Sequence, residues 1–188
     1  MDERELVRNI KTGDHGAFRQ LFEQYQELVY NICYRVSGNR EEAEDTTQDV
    51  FIKIFLAIRS FRGDAKLSSW IYRIAINTSL KKERRKKLIY WTSLEFLFQN
   101  EERFLSPGEA ETPDQRMEKS ETEQIVQQAI QQLPARQKTA LILQRYEDLS
   151  YSEIAQVMQI SLSATEALLH RAKENLAEKL ILLKKYLR

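Results

Sequence analysis

The chain is predicted to be all-helical, with two helical domains joined by an acidic linker, and three observations predict it. Gly numbers 5 and Pro 3 among 188 residues, too few turn formers for a fold of many short strands. Apolar residues recur at spacings of three and four over long stretches at both ends of the sequence. Between them, positions 95–123 carry nine acids against three bases, a local net charge of −6, with Ser106-Pro107-Gly108 and Thr112-Pro113 as breaks. Hydrophobic residues make up 42% of the chain, enough for packed cores rather than disorder.

The elements follow in order. Ala17, Phe18, Leu21, Phe22, Tyr25, Leu28, Val29, Ile32 and Cys33 mark one buried stripe of a helix over Asp14–Val36, which Ser37-Gly38-Asn39 ends. Asn39, with Glu42 three residues on, resembles a capping box opening a helix that runs to about Ser60. Its predicted apolar face is Val50, Phe51, Ile54, Phe55 and Ile58. A loop over Phe61–Leu67 comes next, with Ser68 as the expected cap of a helix through Trp70 towards Leu88. After the linker, a helix ends at Leu133-Pro134 and another covers Ala135–Tyr146. A short helix capped by Ser150, a turn at Ile160–Ser163 and a last helix from Ala164, with Leu168, Ala172, Leu176, Leu180 and Leu183 inward, form a helix-turn-helix layout. The expected boundaries are 1–93 for the first domain, 94–118 for the linker and 119–188 for the second domain. Leu94, Phe96, Leu97, Phe98, Phe104 and Leu105 make the linker's first part too apolar for a pure spacer.

Composition bounds the function classes. The net charge of +1 conceals strong segregation. No apolar run is long enough to span a bilayer, so no membrane insertion is expected. The charged start, Met1-Asp2-Glu3-Arg4-Glu5, lacks the apolar segment of a secretory signal. The single cysteine, Cys33, sits in an apolar stretch and reads as a buried small hydrophobe. A reducing cytoplasm fits these features. There is no Gly-rich phosphate loop, no spaced Cys/His cluster, and His15 and His170 lie far apart with no nucleophile beside them, so neither enzymatic activity nor a cofactor is expected.

The chemistry that remains is nucleic-acid chemistry. Trp70, Arg73, Asn77, Lys81 and Arg84 fall three or four residues apart and share a helix face. The cations suit phosphates and Asn77 suits a base edge, whereas Trp70 is better read as packing in the core. Six bases among Lys81–Lys87 repel one another unless a polyanion is near. The loop presents Arg62, Asp64, Ala65 and Lys66 around Gly63, with Phe61 anchoring it, a setting for one flipped base. In the last helix, Thr165, Glu166, His170, Arg171 and Lys173 face outward for a duplex groove. His170 has no Cys or Asp partner at ligand spacing and reads as a DNA-facing or solvated residue rather than a metal ligand. On spacing alone, Asp45, Gln48, Asp49, Ile52 and Lys53 form an ordinary solvated face.

The residues then point to a family. Ala43-Glu44-Asp45-Thr46-Thr47-Gln48-Asp49-Val50-Phe51, Phe61-Arg62-Gly63 and Ser69-Trp70-Ile71-Tyr72-Arg73-Ile74-Ala75-Ile76-Asn77 resemble the sigma-2 domain of bacterial ECF-type sigma factors of the sigma-70 family. Leu133-Pro134, Leu149-Ser150-Tyr151-Ser152-Glu153-Ile154-Ala155 and His170-Arg171-Ala172 resemble the sigma-4 domain. Several motifs in the family's order are far more specific than any one of them.

This resemblance implies a subunit that binds core RNA polymerase and directs it to promoter DNA. It turns the Asp45, Gln48, Asp49 and Lys53 face into the contact with the clamp of the largest subunit, with the flap as a further polymerase contact. It assigns Arg62, Gly63, Asp64, Ala65, Lys66, Arg73, Asn77, Lys81 and Arg84 to the minus-ten element. It assigns Ser163, Thr165, Glu166, His170, Arg171 and Lys173 to the minus-thirty-five element. The linker is expected to thread towards the polymerase cleft. Many relatives place a base where this chain has Glu166 and Ala167, so groove contact is expected to begin at His170 and Arg171. Neither a regulatory N-terminal extension nor an added C-terminal domain is expected, which leaves control to an anti-sigma factor. A stand-alone helix-turn-helix regulator is the rival reading, and it leaves the Phe61–Lys87 chemistry without a purpose. A sigma mimic that only sequesters an anti-sigma factor would not need both basic helices.

Overall fold

The computed structural model of the chain describes residues 2–98 and 121–186. The described residues form α-helices and one 3-10 turn. A helix absent from the expected elements comes first: α1, Glu3–Lys11, whose Leu6, Val7 and Ile10 fall on one face and are buried. Nine residues are too few for a stable isolated helix, so α1 owes its order to docking on the rest of the bundle. In α2, His15–Ser37, the Asp14 carboxylate accepts from the Gly16 and Ala17 N–H groups. The helix stops at Gly38, which holds φ +71°, a left-handed conformation that a side chain disfavours. A Cβ there would also lie 3.0 Å from the Gln131 side chain.

The Asn39 side chain caps α3, Arg40–Ala57, by accepting from Glu42 N–H. The Glu42 carboxylate pairs with Lys86 across the bundle. The predicted apolar face of α3 holds except at Phe55, which is exposed. After the 3-10 turn Ile58–Ser60, α4 runs over Leu67–Phe98. It starts one residue before the expected cap Ser68. The Leu67 N–H instead donates to the Glu3 carboxylate of α1 at 2.7 Å. Cys33 is buried under α4, where it accepts from the Ser79 hydroxyl. Burial pushes its thiol pKa up, as expected for a packing residue. α4 continues through the boundary predicted at 93. The linker beyond Phe98, with its acidic run and its path, lies outside the described residues.

The second half comprises α5, Glu121–Gln131; α6, Ala135–Arg145; α7, Tyr151–Met158; and α8, Leu162–Tyr186. Ser150 and Glu153 make a full capping box on α7. The turn expected at Ile160–Ser163 falls earlier. Gln159 takes the left-handed conformation at φ 54°, and Ser161 Oγ accepts from Ala164 N–H at the start of α8.

The two halves pack together. Ala140, Ile142, Leu143, Ile154, Val157 and Leu169 belong to the same apolar cluster as the core of α1–α4. At the seam, Lys138 is 1% exposed. Its ammonium donates to Val36 O at 3.0 Å, Gln131 Oε1 at 2.9 Å and Glu83 Oε1 at 3.0 Å. Three donors thus meet three acceptors, one of them a carbonyl in the last turn of α2, where a cation is favoured. Gln131 Nε2 donates to Arg35 O at 2.8 Å. The Arg35 guanidinium lies 3.8 Å from the Tyr146 ring centroid. Removing one partner of a buried ion pair costs about 3–5 kcal/mol. Lys138→Ala is therefore expected to lower unfolding stability by about 3 kcal/mol in urea titration. A loss under about 1 kcal/mol, the size of an exposed pair, would contradict this account of the seam.

Candidate nucleic-acid and polymerase interfaces

Three surfaces carry the predicted site residues. The first lies on α3. Asp45, Gln48, Ile52 and Lys53 are exposed and Asp49 is half-buried. Asp49 pairs with Lys82 of α4 at 3.2 Å. The Lys53 ammonium donates to Thr78 Oγ1 at 2.9 Å. Asp45 and Gln48 therefore present the open polar groups, while Asp49 and Lys53 also brace α3 against α4. Beside them lies an apolar edge that sequence reasoning misses: Phe22, Ile52, Phe55 and Leu56, with Leu56 71% exposed. Phe55 leans on Phe18 edge-on, with ring centroids 5.0 Å apart. Hydrophobic residues clustered at an exposed helix edge mark an interaction surface more often than chance. A signal is present, because Ile52, Phe55 and Leu56 step at three and one along α3, but such spacing reads equally well as core.

The second surface joins the loop to α4. Phe61 is buried and its ring meets Trp70 at 5.3 Å. Trp70 is half-buried against the core, so it packs, in agreement with the sequence. Gly63 sits at φ +80°, with nothing within 4 Å of where a Cβ would be. Backbone angle, not space, is what calls for glycine there. Arg62, Asp64 and Lys66 are exposed and Ala65 is partly covered. Along α4, Asn77, Lys81, Arg84 and Arg85 are exposed or partly so, and Arg73 is half-buried.

The basic block is less uniform than its sequence suggests. Lys82 and Lys86 pair with Asp49 and Glu42 of α3, and Glu83 takes Lys138. The acids that relieve like-charge repulsion are thus partly the protein's own. The polyanion argument applies to Lys81, Arg84 and Arg85.

The third surface is the helix-turn-helix. Ser163, Glu166, His170, Arg171 and Lys173 are exposed on α8. His170 lies 3.4 Å from Glu174, and Arg171 Nε donates to Ala167 O. Thr165 is a correction. It is fully buried, with its hydroxyl donating to Ser161 O at 3.1 Å, and so serves the α7–α8 packing rather than the outward face.

The second and third surfaces also touch. Lys66 pairs with Glu153 at 3.0 Å, and Tyr72 of α4 donates to Glu147 at 3.0 Å. Hydrogen bonds from Ser150 and then Lys66 hold the Glu153 carboxyl down at about 2. Burial, and then the Glu147 charge, raise the Tyr72 hydroxyl above its usual range. Burial also raises Glu147. One tip of the candidate base-accepting loop is therefore held by the cap of α7. No described helix is long and apolar enough to cross a membrane.

The geometry agrees with comparison to known proteins. Residues 21–89 match the family model for sigma-70 region 2, and residues 123–176 match that for sigma-70, region 4. The chain is 32% identical over 176 residues to the ECF RNA polymerase sigma factor SigW of Bacillus subtilis, covering 93% of this chain and 94% of that one. It is 36% identical over 176 residues to the RNA polymerase sigma-H factor of Pseudomonas aeruginosa, covering 92% and 90%. Its fold matches the sigma factor RpoE of Bartonella quintana, solved with the anti-sigma factor NepR, at TM-score 0.66 and 21% identity, over 87% of this chain and 96% of that one. The matched models lie on the α2–α4 bundle and the α5–α8 unit, the two parts that carry the three surfaces, and the chain belongs to the ECF sigma factors of the sigma-70 family.

Proposed function

We propose that this chain binds core RNA polymerase, recognises the minus-ten and minus-thirty-five elements of promoters and favours their opening for transcription initiation. The observation that carries the reading is the side-by-side placement of an acidic and apolar α3 edge with the Arg62–Lys66 loop and the Asn77, Lys81 and Arg84 side chains of α4. A regulator that binds only duplex DNA has no use for that combination.

Each surface has a physical role. On α3, Asp45 and Gln48 steer a basic partner helix while Ile52, Phe55 and Leu56 supply apolar burial against the polymerase clamp. In the loop and on α4, the cations hold the phosphates of a separated strand. Asn77 reads a base edge, and the space around Gly63 accepts an unstacked base. On α8, His170, Arg171 and Lys173 meet the minus-thirty-five duplex. Binding energy spent on unpaired bases is unavailable to closed DNA, so it shifts the equilibrium towards the open form. The polymerase supplies the catalytic groups, and the chain acts where that enzyme acts, in the cytoplasm.

The two units cannot stay packed during this work. Elements about 25 base pairs apart are separated by about 85 Å along B-form DNA. The segment between Phe98 and Glu121 reaches at most about 80 Å when extended, and the helices on either side supply the rest. Regulation by an anti-sigma factor fits a chain whose polymerase face and loop can both be covered.

Transcription with purified core polymerase on a genomic promoter library tests the reading. Transcripts starting downstream of a shared pair of motifs support it. Absence of core binding and of initiation in inhibitor-free reactions would contradict it. Asp45→Lys should weaken core binding about tenfold, or roughly 1.4 kcal/mol, because it reverses charge without touching the Asp49–Lys82 brace. Unchanged core affinity would remove Asp45 from the interface. Asn77→Ala should leave core binding intact and reduce promoter opening by about 1–3 kcal/mol, the size of a base-edge contact. Equal losses in both would count against its DNA role.

A further inference from the structure

α1 takes part in none of the assignments above, yet it forms one wall of a cavity whose other wall is the base-accepting loop. The cavity measures about 600 Å³ and is bordered by Glu3, Arg4, Arg8 and Lys11 on one side and by Arg62 and Lys66 on the other. Five lining cations against one lining carboxylate, with Lys66 also paired to Glu153 of α7 at 3.0 Å, leave a positive balance in a concave site, where a field is focused. The acid is also occupied, since Glu3 accepts from the Leu67 N–H. Lys11 acts structurally, because its ammonium donates to Phe61 O at 2.5 Å and so ties the loop's first residue to α1. Arg4 and Arg8 have no such role. Both are exposed, and among the described residues neither makes an ion pair. They lie four residues apart, where like charges destabilise a helix by about 0.2–0.5 kcal/mol. Arg8 sits in the last turn of this nine-residue helix, where a cation is favoured, but Arg4 sits in the first turn, where it is not, so an anion beside Arg4 relieves a cost that the helix itself leaves.

We propose that α1 is the second wall of the minus-ten strand site, with Arg4 and Arg8 holding backbone phosphates of the unpaired strand while its base enters the cavity beside Gly63. This rests on the sigma reading given above. Arg4 and Arg8 are about 6 Å apart along the helix, a step suited to neighbouring phosphates of an extended single strand. The guanidinium fork suits phosphate better than an ammonium would. The contact is to the backbone, so it adds affinity for single strands without choosing a sequence. Glu3 and Lys11 complete the arrangement by fixing the start of α4 and the start of the loop to the same short helix. The phosphate and base sites are thereby held in one rigid frame.

The test uses the full chain bound to core polymerase and a fluorescein-labelled single strand of about a dozen nucleotides, taken from the minus-ten region of a promoter recovered in the transcription assay. Affinity is measured by anisotropy across a range of salt concentrations. Each phosphate contact to a single strand contributes about 0.7 to the slope of log affinity against log salt. Arg4→Gln/Arg8→Gln should therefore reduce the slope by about 1.4, while core binding and helicity stay unchanged. Arg4→Lys/Arg8→Lys should recover most of that slope. If the Gln variant keeps the full slope while Arg62→Gln/Lys66→Gln lowers it, the loop binds DNA and the role of α1 is refuted. If no promoter directs initiation at all, the sigma reading falls and this proposal falls with it. If the Gln variant loses helicity or core binding, the comparison passes to the Lys variant, and a lowered slope there, despite intact charge and fold, also refutes the phosphate contact.

Discussion

The buried ammonium of Lys138 is the constraint on which the arrangement of this molecule depends. A lysine that is 1% exposed is tolerated only when its charge is met. Here α2, α4 and α5 each provide one acceptor, through Val36 O, Glu83 and Gln131. Gln131 then uses its amide nitrogen on Arg35 O, and the Arg35 side chain covers Tyr146. One cation from α6 thereby fixes the end of α2 and the middle of the basic helix α4 relative to the second unit. The apolar cluster that crosses the same seam gives the contact area, while the ammonium gives it a unique register.

That register decides what the free chain exposes. The α3 edge with Asp45, Gln48 and Ile52 stays open. The candidate base-accepting loop is partly held, because Glu153 in the cap of α7 takes Lys66, and Glu147 takes Tyr72 of α4 beside it. The Glu153 carboxylate of the second unit thus sits on Lys66, where the proposed strand would bring a phosphate. The Lys66–Glu153 pair is exposed and individually weak, so under the proposed function it is exchanged for DNA once polymerase holds the two units apart, whereas the Glu147 contact is made to a buried Tyr72. A protein that must bind a strand only after that strand has separated benefits from contacts of this kind.

Much of this is legible in the sequence, and the parts that are not share a cause. The periodic stripes of α2, α3, α6 and α8, the Asn39 and Ser150 caps, and the need for glycine at 38 and 63 are local properties, and local rules find them. Four features come from contacts between distant segments. Short, highly charged α1 exists because Leu6, Val7 and Ile10 have a surface to dock on. The start of α4 is capped by Glu3, sixty-four positions away, so the local candidate Ser68 is overridden. Lys82 and Lys86 look like part of a DNA-binding block until α3 brings Asp49 and Glu42 alongside. Lys138 sits in a run, Arg136-Gln137-Lys138, that looks wholly solvated. Thr165 and Phe55 depart from expectation in opposite directions for the same reason. A helix face is defined by what packs on it, and a position one step along the helix can lie on the other side of that boundary.

The proposed capture of a melted minus-ten base requires the two units to part, and that dependence can be measured directly. The probe is 2-aminopurine placed at the minus-ten position of a promoter that the chain uses with core polymerase. Arg35→Cys/Tyr146→Cys, bridged by a cleavable bis-thiosulfonate, holds the seam closed without altering the loop, α3 or α8 surfaces, and Cys33 is buried away from the reagent. The expected result is no fluorescence rise with the bridged chain and a full rise once dithiothreitol releases it. An equal rise with the bridge in place, or none after release, would contradict it.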